Sequence, residues 1–291
     1  MLLLTAEKIS KSYSEKPLLK DVVLGINSGD KIGLIGINGT GKSTLLKIVA
    51  GLETPDSGTV TKAGGVRVGY LPQNPLFEDG VTVLQQVMRG VSEQQRESKI
   101  YECKAILTKL GISDFDEPVS RLSGGQKKRV SLASTLVTPV EVLVLDEPTN
   151  HMDNDMVDWL EDFLSRYNGA LLMVTHDRYF LDRVTNKIVE LQDGNLYSYQ
   201  ANYTKYLELK TEREEMTAAS ERKRQTLLKK ELEWIQRGAR ARGTKQKFRV
   251  ERFKEMSAQT VDLEQEKLKM SSLSSRLGKK IIEIDNISKS Y

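Results

Sequence analysis

Lys31-Ile32-Gly33-Leu34-Ile35-Gly36-Ile37-Asn38-Gly39-Thr40-Gly41-Lys42-Ser43 is the stretch that decides the fold. A mostly apolar, strand-like run enters a glycine-rich turn, and residues 42–50 then carry a helical pattern. Residues 36–43 satisfy the P-loop pattern in full, in the strand-then-helix context that the pattern requires. Glycines let the backbone wrap so that its N–H groups face phosphate oxygens. The helix N-terminus adds the positive end of its dipole. Lys42 is expected to reach the β- and γ-phosphates and Ser43 to ligate Mg²⁺. Gly36, Asn38, Gly39, Thr40, Gly41 and Thr44 complete the expected cradle.

Two further segments carry chemistry. Val142-Leu143-Val144-Leu145-Asp146-Glu147 is an apolar strand ending in adjacent acids. Burial in a parallel sheet explains the apolar run. It does not explain two carboxylates at the strand's C-terminal edge, where α/β proteins hold ligands. Asp146 suits a magnesium shell, and Glu147 suits a base that polarises an attacking water. Leu122-Ser123-Gly124-Gly125-Gln126 combines an N-cap serine with two glycines that expose amides, a second anion-binding helix start.

Around these motifs, short β-rich runs alternate with helical patterns through residue 200, as in α/β domains. Strands are expected at residues 2–9, 22–26, 31–35, 59–61, 67–71, 142–145, 170–174 and 187–191. Helices are expected at 42–50, 83–89, 96–110, 124–136, 156–167 and 178–184. Gly64-Gly65 and Asp193-Gly194 carry the chemistry of hairpin turns. Beyond Asn202 apolar residues recur at helical spacing, from Tyr203, Tyr206 and Leu207 to Met256, Leu263 and Met270, with a break at residues 238–243. This predicts a long α-helical hairpin whose first arm, of roughly 35 residues, is about 50 Å long.

The net charge of +4 hides an asymmetry. Residues 1–200 hold 22 Lys+Arg against 26 Asp+Glu, whereas residues 201–291 hold 22 against 14. Within 222–254 there are 13 basic residues and three acidic ones, which points to a polyanionic partner. The single cysteine, Cys103, excludes an internal disulfide and suits a reducing compartment. No apolar run approaches the roughly 18 residues that cross a bilayer, so no integral membrane segment is expected. Ile9-Ser10-Lys11-Ser12-Tyr13 returns as Ile287-Ser288-Lys289-Ser290-Tyr291, each copy after a strand-like run. Such a repeat predicts that a second copy of the first domain begins there.

In order and spacing, the P-loop, Gln73, residues 122–126, Asp146-Glu147 and His176 resemble an ABC-type ATPase. The resemblance implies an α/β P-loop NTPase of ABC type: a mixed sheet core with antiparallel β and helical subdomains, followed by the helical hairpin. It implies ATP and Mg²⁺ held in a head-to-tail sandwich, between one cassette's P-loop and the Ser123-Gly124-Gly125-Gln126 segment of another. Gln73 would help hold Mg²⁺, His176 would contact the γ-phosphate and Tyr13 would stack on adenine. Asp153 would belong to the loop crossing the cassette interface.

Pro148-Thr149-Asn150-His151-Met152-Asp153, the helical arm and the restarted repeat resemble the ABC-F group in particular. That group comprises soluble tandem-cassette ATPases of the cytoplasm that act on the translating ribosome. The layout it implies is a cassette at 1–200, a linker at 201–279 and the start of a second cassette at 280–291. It implies that residues 222–254 meet ribosomal RNA and tRNA, through Arg237, Arg240, Arg242, Lys245, Lys247 and Arg249. Arginine neutralises phosphate and stacks on bases, and interleaved Trp234 and Phe248 stack as well. The segment between Gln73 and Leu122 is too short for the extra helical arm that some members insert there. Two other functions share the ATP motifs: the energising subunit of a membrane transporter and a DNA-directed ATPase.

Overall fold

The computed structural model describes residues 1–13, 17–75, 77, 80–236 and 288–289. Arg237, the basic tip, the second arm of the expected hairpin and most of the expected second-cassette strand lie outside the described residues. The chain divides into two compact units, Met1–Thr211 and Glu212–Tyr291.

Strand β6 (Val142–Asp146) shows why the core has two halves. All of its residues are buried, and successive side chains of a strand point to opposite faces. Val142 and Val144 join one apolar cluster, and Leu143 and Leu145 join the other. Strand β7 (Ala170–Val174) repeats the division, with Leu171 and Met173 on one side and Ala170, Leu172 and Val174 on the other. A strand buried on both faces needs no polar alternation, so its sequence is a continuous apolar run.

These strands sit inside a sheet of order β5-β6-β7-β3-β8-β9. Here β3 is Lys31–Ile35, β5 Val68–Leu71, β8 Lys187–Gln192 and β9 Asn195–Tyr199. The strands from β5 to β8 in that order run parallel, and β9 is antiparallel to β8. One face is covered by helix α1 (Lys42–Ala50) and a small antiparallel sheet of β1 (Leu2–Ser12), β2 (Pro17–Asn27) and β4 (Ser57–Lys62). The other face is covered by α2 (Val83–Val87), α3 (Glu93–Lys109), α4 (Gly124–Val137), α5 (Asn154–Arg166) and α6 (Arg178–Val184).

The elements at 31–35, 42–50, 170–174 and 178–184 fall where the sequence places them. One turn and one helix end need correction, and one strand is added. Gly64-Gly65 does not close a hairpin: the turn forms, with the Val66 N–H donating to Ala63, but β4 pairs with β1 and β5 with β6. The turn carries the chain from one sheet to the other. Asp193-Gly194 does close a hairpin, with both residues at positive φ (52° and 81°), and its second strand β9 has no counterpart in the sequence reading. Helix α2 stops at Val87 and continues as a 3₁₀ turn, Met88–Gly90, rather than running to residue 89.

Helix α7 (Tyr203–Gln236), 34 residues long, falls where the sequence places the first arm of the expected hairpin. Its first turns belong to the cassette unit because a buried carboxylate holds them. Glu190 of β8 accepts from the Tyr206 hydroxyl at 3.0 Å and from the Lys210 ammonium at 2.6 Å. Tyr199 of β9 meets Tyr206 edge-on at 5.1 Å between ring centroids.

Candidate functional site

Three of the parallel strands end at one edge of the sheet: β3 in the glycine-rich loop, β6 in Asp146 and β7 just before His176. The loop passes close to β8 only because residue 36 is glycine; a Cβ there would lie 2.6 Å from the Leu191 carbonyl oxygen. Gly41 caps α1 at φ 103°, a conformation that other residues rarely adopt. A cleft of about 460 Å³ opens between these strand ends. Asn38, Gly39, Gly41, Lys42, Ser43, Thr44, Gln73, Asp146, Glu147 and His176 line it, as the motif reading requires. Leu18 and Val174 also line it and were not singled out in the sequence, as does Asn150 from the 148–153 segment, to which no site role was given.

The charges in this cleft are buried. The Lys42 ammonium donates to the carbonyls of Gly36 at 2.8 Å and Ile37 at 2.9 Å. Burial lowers its pKa, against the pull of Glu147 and Asp146. An ammonium has three N–H donors, so one remains for an incoming oxygen. Burial raises the Asp146 carboxyl above the usual carboxylate range, while the Ser43 hydroxyl bonded to it acts in the other direction. Burial also raises the Glu147 carboxyl, opposed by the neighbouring His176 through its side chain and its backbone N–H. His176 Nε2 lies 3.4 Å from Glu147 Oε1. Glu147 Oε2 is buried with no hydrogen-bond partner among the described residues. Glu147 also takes φ 53°, a conformation that costs a non-glycine residue about 1 kcal/mol. Strain and an orphaned carboxylate oxygen at one residue mark a position set for something other than stability.

The donor set fits a magnesium ion carried in with a triphosphate. Ser43 and Asp146 touch each other, and Gln73 lines the same cleft. Mg²⁺ takes few protein ligands and keeps water and phosphate oxygens for the rest. Among the described residues, no group of three or more His, Cys, Asp or Glu is arranged to hold a metal ion by itself.

Other residues picked from the sequence sit around the cleft rather than in it. Thr40 donates to Ile37 at 2.8 Å and so fixes the loop's own turn. Tyr13 is 65% exposed, with its hydroxyl bonded to Glu53 and to Thr44 beside the loop. Ser123 and Gln126 form a reciprocal capping box at the start of α4. With Gly124 and Gly125 they do not line the cleft. Asp153 caps α5 by accepting from the Met156 N–H at 3.0 Å. Lys128, which reads as one more solvated charge in Lys127-Lys128-Arg129, is only 3% exposed. Its ammonium lies 3.4 Å from the Asp146 carbonyl oxygen.

Comparison with known proteins gives the family. Two family models, each described as ABC transporter, match residues 19–150 and 189–272. The chain belongs to the ABC ATPase family. Among ABC relatives it is 43% identical, over its whole length, to the uncharacterized ABC transporter ATP-binding protein YfmR of Bacillus subtilis, covering 52% of that protein. It is 37% identical to the energy-dependent translational throttle protein EttA of Mycobacterium tuberculosis, with 99% of this chain and 58% of that one aligned. The same comparison with EttA of Escherichia coli gives 33%, with 99% and 59% covered. The chain thus spans about half the length of these relatives. Among solved structures, an ATP-binding subunit of an ABC transporter superposes with a TM-score of 0.62 at 22% identity, covering 68% of this chain and 90% of that one. A dimeric ATP-binding cassette in a post-hydrolysis state with ADP and phosphate gives 0.58 at 22%, covering 68% and 98%. At that identity these two ABC structures speak for the fold alone.

Proposed function

We propose that this chain binds MgATP in the cleft at residues 36–43 and hydrolyses it with Glu147 as the base. The observation that carries the proposal is that Glu147, a buried acid with its Oε2 unpartnered among the described residues, lines the same cleft as Lys42 and Ser43. Backbone amides of the loop and the Lys42 ammonium hold the phosphates. Ser43 and Asp146, with Gln73, hold the magnesium, which there neutralises phosphate charge. Glu147 accepts a hydrogen bond from the attacking water, and His176 beside it orients the terminal phosphate. Little covalent chemistry is asked of the protein beyond position and charge. Tyr13 offers an exposed ring to the base.

The Ser123-Gly124-Gly125-Gln126 helix start would complete the site of another cassette, because it does not line its own. Turnover by this chain should therefore depend on a second cassette, or on head-to-tail pairing of two copies. Glu147→Gln should retain nucleotide and lose turnover, measured by filter binding and phosphate release. Equal turnover in wild type and variant would remove Glu147 from its role.

We further propose an ABC-F role in the cytoplasm: closure of the cassettes drives the basic arm, residues 222–254, into ribosomal RNA and tRNA. Two facts support it, the 13 basic residues in that segment and the similarity to proteins named translational throttles. The transporter reading is the second one, favoured by the description of the matching family models. No helix among the described residues is long and apolar enough to cross a membrane. Co-sedimentation of the ATP-trapped variant with ribosomes, against membranes and branched DNA, separates the three readings.

A further inference from the structure

Lys128 stands in the second turn of α4, five residues beyond the Ser123 cap. A lysine that is 3% exposed carries a large desolvation cost unless something holds its charge. The groups that face it are Asp146 and Glu147. Its ammonium points at the main chain of the first, 3.4 Å from the carbonyl oxygen. The next residue repeats the arrangement. Arg129 Nη1 lies 3.4 Å from the His151 carbonyl oxygen and 4.0 Å from the Met156 sulfur. A Cβ on Gly125 would come within 3.3 Å of the His151 side chain. The loop that α4 grips in this way runs from Glu147 to His151, and both of those residues take positive φ, 53° and 66°. A backbone in sparsely populated conformations persists only where its surroundings hold it.

We propose that Lys128 is a positioning residue: from the helix that begins at Ser123-Gly124-Gly125-Gln126 it fixes the Asp146–Glu147 peptide, with Arg129 holding the far end of the same loop. The inference rests on the ATPase reading above. Its consequence is that the two half-sites of one cassette are joined. A change in the seat of α4 reaches the catalytic carboxylate of the same chain through one ammonium, without passing through nucleotide.

The test measures ATP turnover and fluorescent-ATP affinity on the full chain for wild type, Lys128→Met, Lys128→Arg and Glu147→Gln. Lys128→Met should lower kcat by about 10-fold or more while KM and the ATP Kd move by less than about 3-fold, the signature of a lost transition-state interaction. Lys128→Arg, which restores the cation, should recover most of the loss. If circular dichroism shows Lys128→Met unfolded, Lys128→Leu, which also lacks a donor, takes its place. Wild-type kcat in the neutral variant would overturn the inference. So would a loss that appears equally in KM and Kd, or one that Arg leaves untouched, since either outcome makes the lysine a packing or binding residue. Failure of Glu147→Gln to lower turnover would instead strike the ATPase reading itself.

Discussion

Two buried acids of this cassette have opposite fates. Glu190 lies mid-sheet on β8, 4% exposed, and donors from α7 meet it: the Tyr206 hydroxyl at 3.0 Å and the Lys210 ammonium at 2.6 Å. Glu147 lies just past the end of β6, 5% exposed, at positive φ, with one carboxylate oxygen unpartnered. A buried carboxylate normally requires donors. Where the chain supplies them, the acid is an anchor that seats a helix. Where the chain withholds one and adds backbone strain, the acid is kept for chemistry.

The largest effect that would break this contrast is on turnover. Glu147→Gln should lower the rate of phosphate release by roughly 10²–10⁴-fold, the range over which a general base contributes, while Glu190→Gln should leave turnover per folded molecule within a factor of about two. A comparable loss in both would mean that the two acids are alike. Second in size is binding. Lys42→Ala should weaken ATP binding by roughly 10–100-fold, about 1.4–2.7 kcal/mol, read by titration with a fluorescent analogue. Third comes stability. Glu190→Gln and Tyr206→Phe should each cost about 1–2 kcal/mol in urea unfolding, the usual loss for one member of a buried hydrogen-bonded set. Lys210 is about a third exposed, so solvent weakens its share.

The smallest effect has the opposite sign. Burial holds the folded Glu147 carboxyl above the usual carboxylate range, so the fold is disfavoured by its ionisation once the pH exceeds that range. Removing the charge should make Glu147→Gln melt slightly higher than wild type at pH 8. The gap should close as the pH falls through the carboxylate range, where wild type binds its proton. A melting temperature lowered at pH 8 would place Glu147 with Glu190 among the anchors.

The sequence shows one of these acids and hides the other, for a physical reason. Asp146-Glu147 ends an apolar strand, so the pattern around it states that something unusual stands at a ligand-bearing edge. Glu190 interrupts the apolar run of β8, and its partners lie 16 and 20 residues further on, in a helix that reads as linker. Lys128 is hidden in the same way: its neighbours in sequence are charged, and its burial depends on β6, which the chain reaches only after α4. Gly64-Gly65 and Asp193-Gly194 show the limit for turns. Both pairs are chemically able to close a hairpin, but only long-range pairing of β4 with β1 and β5 with β6 decides that the first does not. The P-loop and the doubly buried strands were legible because their constraints are local.

The central claim is that the loop at residues 36–43 and the two acids at the end of β6 converge on one triphosphate and its metal. The most direct test is a crystal structure of Glu147→Gln with ATP and Mn²⁺ in place of Mg²⁺, located by anomalous scattering. The account predicts phosphate oxygens on the loop amides and Lys42, with the manganese peak between Ser43 and Asp146. Nucleotide bound elsewhere, or a manganese peak away from both residues, would contradict it.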